Sequence, residues 1–125
     1  MSTPDWYTLT LSEGMDLVAS LKEFFQSKQL SLAHVVSCIG SLEKVVLAFP
    51  KTQTFPPEIE QVSLEGLFEI NGISGNIKKE SGDVKVHLHG SVTRRGREVS
   101  GGAIIAGTRV FKVAELLILG FRNLD

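Results

Sequence analysis

Only one of the 125 residues is a cysteine, Cys38. An internal disulfide is therefore excluded, and so is a zinc site built from several thiolates. An excess of charge of one sign is missing too: 13 Lys and Arg stand against 14 Asp and Glu, a net charge of −1. Chains that hold nucleic acid by bulk electrostatics are normally clearly basic, so direct nucleic-acid binding is not expected. No apolar run has the length of a membrane span, because Glu115 and Gly120 break the longest one, over 113–121. Near the N-terminus Asp5 is present, and no basic segment leads into a long apolar one, so no signal peptide is expected. Internal repeats, low-complexity tracts and linkers are also lacking. The expectation is one intracellular domain, cytoplasmic or, in a eukaryote, nuclear, with enough chain for a real hydrophobic core.

What the chain does have is alternation. Residues 6–11 read as a first strand. Ser12 or Glu13 then caps a helix with Asp16 in its first turn. Leu17, Val18, Leu21, Phe24 and Phe25 recur at three- and four-residue spacing, which makes one apolar stripe of a helix ending near Lys28. Beyond residue 31 the period becomes strand-like. Residues 33–39 and 44–49 form two strands about a bend at Gly40-Ser41. The prolines of 50–57 mark a loop. Residues 59–70 form a strand with a bulge or close approach at Gly66, and 72–78 form another. Turns fall at 80–83 and at Arg95-Gly96, and the stretch 101–107 is rich in small residues. A long strand over 110–121, apolar on both faces, closes the chain. These elements predict an α+β domain with a core over about 7–121. One N-terminal helix covers a mainly antiparallel sheet of about seven or more strands.

The clearest chemical signal lies in Val84–Thr93. Val84, Val86, Leu88 and Val92 share one face of the strand; Lys85, His87, His89, Ser91 and Thr93 share the other. The two imidazoles start about 7 Å apart by strand rise, close enough to share a metal ion or an anion. The plainer reading, a polar sheet face or subunit contact, is the preferred one. His34 and Cys38 are four residues apart on a strand-like segment, so they are expected to share a face. Their segment is otherwise apolar, and a buried thiol beside a hydrogen-bonded histidine is the expectation.

The order of several short motifs resembles the PPC domain, named for plants and prokaryotes. They are Ile39-Gly40-Ser41-Leu42, then Gly66-Leu67-Phe68-Glu69-Ile70 with Ser74-Gly75-Asn76-Ile77, and the His87-Leu88-His89 strand. Gly96 to Gly102 and the closing Val113-Ala114-Glu115 complete the set. The resemblance implies a small α+β domain that assembles as a homotrimer. In plants such domains follow AT-hook DNA-binding motifs in nuclear regulators and bind partner proteins. Stand-alone bacterial and archaeal members have a poorly defined role, and some resemble metal binders with a third His after the Gly-Gly pair. In this sequence Ala103 follows Gly101-Gly102, so that third ligand is replaced. Zinc normally takes three protein ligands, leaving His34, Cys38 or a carboxylate to supply another.

Two further segments bear on function. Arg94, Arg95 and Arg97 include an Arg-Gly-Arg, but Glu98 follows where an AT-hook needs proline; a charged hairpin tip is expected, with Lys78 and Lys79 adding to a small basic patch. The plant partner motif has arginine where Leu67 stands, next to Phe68 and Glu69. Gly101-Gly102 matches neither a P-loop nor a dinucleotide fingerprint, and close strand packing is the favoured reading. The resulting expectation is a non-enzymatic, homotrimeric module that binds a partner protein or small ligand. The alternatives are a zinc- or anion-binding protein centred on His87 and His89, and a DNA-associated regulator that reaches DNA through a partner.

Overall fold

A computed structural model describes residues 3–122. The elements are β1 (Asp5–Ser12), α1 (Leu17–Ser27), β2 (Leu32–Pro50), β3 (Ile59–Glu80), β4 (Asp83–Arg94), β5 (Glu98–Ile104) and β6 (Arg109–Phe121). They form one antiparallel sheet in the order β1-β6-β2-β3-β4-β5. Leu47 and Ala48 of β2 also pair with Ile104 and Ala103 of β5, so the sheet curls back on itself.

The strand count is six, below the expected seven or more, and two strands account for the difference. The segments over 33–39 and 44–49 are halves of β2, which bends at Gly40 without ending. Its φ of +132° suits glycine, and a Cβ there would collide with the Val113 carbonyl. The segments over 59–70 and 72–78 are likewise one strand, β3, with a register shift opposite β4 between Ile70 and Gly72. A bulge interrupts alternation without ending the ladder, so in sequence it looks like a strand end. At Gly66 the expected bulge is present: Gly66 and Leu67 of β3 stand against the single residue Glu43 of β2.

The helix carries the expected stripe. Leu17, Val18, Leu21, Phe24 and Phe25 are its buried residues, and Lys28 is its C-cap. Its N-cap is Asp16, not Ser12 or Glu13. One Asp16 carboxylate oxygen accepts from Ala19 N–H at 2.9 Å and the other from Gly107 N–H at 2.8 Å. Asp16 thus caps the helix and ties it to the β5–β6 turn. The core beneath the helix is continuous, joining Leu21 and Phe25 to Cys38, Leu42, Ile77, Leu88 and Ile118. Each large aliphatic side chain buried there contributes about 1.5–3 kcal/mol.

One face of the sheet is thereby committed to the core. The opposite face is open, and the three histidines, His34, His87 and His89, lie on it.

Candidate functional site

Ser81 and Gly82 both adopt positive φ (52° and 80°), making a two-residue turn that sets Glu80 opposite Asp83. Counting out from that turn, Asn76 pairs with His87 and Ser74 with His89. Leu88 points into the core, while His87 and His89 are exposed on the open face, as alternation predicts. Their rings meet edge to face with centroids 4.9 Å apart, and the Nε2 atoms are 3.1 Å apart. At that distance one ring donates and the other accepts. Two nitrogens bound to one tetrahedral zinc at its usual bond lengths lie about 3.3 Å apart. The pair is therefore held close to the spacing a shared metal needs.

On β5, Ala103 stands in register with His89, and its methyl offers no donor. His34 does not replace it. It lies two strands from His87, in register with Asn76 between them, and its ring packs edge-on against Phe121 at 6.1 Å. Cys38 does not replace it either. The expectation that His34 and Cys38 share a face is corrected: the β2–β6 register shifts between Val35 and Ser37, which puts His34 on the open face and Cys38 in the core. A one-residue bulge reverses which side every later residue faces. Burial pushes the Cys38 thiol up to about 12, so it stays protonated and inert. Among the described residues, no three His, Cys, Asp or Glu side chains are grouped as a metal would need.

Asn76, central to this row, was not singled out as a site residue in the sequence. Its Oδ1 is buried and has no hydrogen-bond partner among the described residues. Leaving such an acceptor unsatisfied costs about 1–3 kcal/mol. Pairing also extends the row outward. His34 faces Leu119, and Leu119 faces Trp6, so Trp6, Leu119, His34, Asn76 and His87 cross five strands on one face. The Trp6 end of this row is apolar and the His87 end is polar.

The other candidates gather elsewhere. Gly66 and Glu69 line a groove of about 460 Å³ with Arg94 and Arg95, while Phe68 is buried beneath. Arg94 lies over the Phe68 ring at 5.9 Å and pairs with Glu98 at 3.5 Å. Arg95, Gly96 and Arg97 form the turn between β4 and β5, the expected charged hairpin tip. Lys78 and Lys79 do not join it. They pair with Lys85 and Val84 at the far end of β4, about 30 Å from Arg94 by strand rise. Gly101 and Gly102 pair with Ser91 and Gly90, and a Cβ on Gly101 would lie 2.8 Å from the Gly90 carbonyl oxygen. Close strand packing accounts for that glycine.

A family model described as the Plants and Prokaryotes Conserved (PCC) domain matches residues 2–122. Several solved structures are similar. A hypothetical protein of Salmonella cholerae-suis is 29% identical with a TM-score of 0.81, over 97% of this chain and 80% of that one. A metal-containing protein of Archaeoglobus fulgidus is 26% identical with a TM-score of 0.82, over 94% and 80%. A plant- and prokaryote-conserved protein of Pyrococcus horikoshii shares the fold at 24% identity and a TM-score of 0.84, over 97% and 81%. No curated protein matches the sequence.

Proposed function

The chain belongs to the Plants and Prokaryotes Conserved domain family, and on that premise we propose that it is a self-assembling binding module. Three copies associate and present a surface for a partner protein or small ligand. The observation that carries this reading is the open sheet face. Trp6 is 61% exposed there, Ile39 58% and Val36 46%, with Leu117, Leu119 and Phe121 half-buried among them. Contiguous apolar surface of this kind on a soluble chain marks an interaction site. The reading places the protein inside the cell, in keeping with its one unpaired cysteine. No helix among the described residues is long and apolar enough to cross a membrane. The test is the double variant Trp6→Glu, Ile39→Glu, measured by light scattering after gel filtration. It should remain folded by circular dichroism and fall from trimer to monomer; a variant that keeps the wild-type mass removes this face from the interface.

A second reading concerns the polar end of the same face: a divalent metal held by His87 and His89. The 3.1 Å Nε2 separation favours it, and a 26% identical relative is described as metal-containing. Zinc suits imidazole donors, and a bound metal would supply Lewis acidity at this surface. His87→Ala with His89→Ala should abolish stoichiometric zinc uptake, measured by elemental mass spectrometry. Uptake equal to that of the wild type would defeat the reading.

A further inference from the structure

We infer that Asn76 Oδ1 is the third protein donor of the metal site formed by His87 and His89, in the coordination place that Ala103 cannot fill. The inference rests on the metal reading above. Three observations meet at Asn76. First, register sets it directly opposite His87, so both side chains rise from the same face of neighbouring strands. Second, its Oδ1 is a buried acceptor with no partner among the described residues. Buried carbonyl oxygens are nearly always paired, and a cation satisfies one as well as an N–H does. Third, the positions that the sequence offered for a third ligand do not supply one: Cys38 faces the core, His34 stands one strand beyond Asn76 against Phe121, and Ala103 has no donor. Ser74, opposite His89, offers only a neutral hydroxyl, a poorer metal donor than an amide oxygen.

The resulting set is two imidazole nitrogens and one amide oxygen. Three protein donors meet the usual minimum for zinc and leave a fourth position open. An amide oxygen is uncharged and a weaker donor than imidazole, so affinity should be lower than for a three-histidine site. A carboxylate in the same place should strengthen it by adding charge.

The experiment is a zinc titration by calorimetry on chelator-stripped full-length protein, comparing wild type, Asn76→Ala, Asn76→Asp and the His87→Ala, His89→Ala double variant. Wild type should bind one zinc per chain. Asn76→Ala should weaken binding at least tenfold, and Asn76→Asp should bind at least as tightly as wild type. Cobalt(II) gives a second readout, because losing a protein donor changes its visible absorption; Asn76→Ala should alter that spectrum. Wild-type affinity and an unchanged cobalt spectrum in Asn76→Ala would overturn the role of Asn76 and leave the histidine site standing. If Asn76→Ala fails to fold, Asn76→Asp decides: weakened binding there overturns the inference. Absence of zinc binding by wild type, together with the double variant, would overturn the metal reading itself and this inference with it.

Discussion

At the scale of the residue, Cys38 and Asn76 show how differently side chains sit on the two sheet faces. Cys38 is fully buried, and its thiol is raised from 9.0 to about 12 by desolvation. The sign follows from linkage: between those values the unfolded chain has lost the proton and the folded chain keeps it. Stability should therefore fall as pH rises from about 9 towards 12, and Cys38→Ala should remove that part of the decline. Chemical unfolding at a series of alkaline pH values, at fixed protein concentration, checks this. Native Cys38 should also resist iodoacetamide at pH 8 and react once unfolded, as read by mass spectrometry. The inertness of Cys38 was legible in its apolar neighbours. Its separation from His34 was not, because Val35-Val36-Ser37 carries no sign that a bulge falls there. Asn76 was legible in principle: a two-residue turn at Ser81-Gly82 fixes its pairing with His87 by counting. What no counting reveals is that its oxygen is buried and unpaired.

At the scale of the element, periodicity was a good guide to type and a poor guide to length. All five apolar helix positions are buried, because a single stripe on a covering helix has only one way to face the core. The long strands were cut in two at Gly40 and near Gly72, where bends and bulges imitate turns. The same features yield two predictions. Asp16→Ala removes the N-cap and the bond to Gly107, and should cost about 1–2 kcal/mol as a lower urea midpoint with an unchanged slope. Gly40→Ala forces a Cβ towards the Val113 carbonyl at a φ of +132°, and should cost about 3 kcal/mol by the same measurement. A midpoint within experimental error of wild type would contradict the account of either position.

At the scale of the whole molecule, one curled sheet separates two tasks. The covered face holds the chain together. The open face carries a row from Trp6 to His87 that is apolar at one end and donor-rich at the other. The sequence showed both ends as separate segments, far apart in the chain. It did not show that β6 and β2 bring them into one row, because that depends on the strand order. Assembly through the apolar end would bury Trp6 and Ile39, contributing about 1.5–3 kcal/mol for each large side chain fully removed from water. The most direct test is the mass of the wild-type protein in solution at micromolar concentration, by light scattering after gel filtration. The account predicts three times the 13.6 kDa chain mass. A single species at the mass of one chain would contradict it.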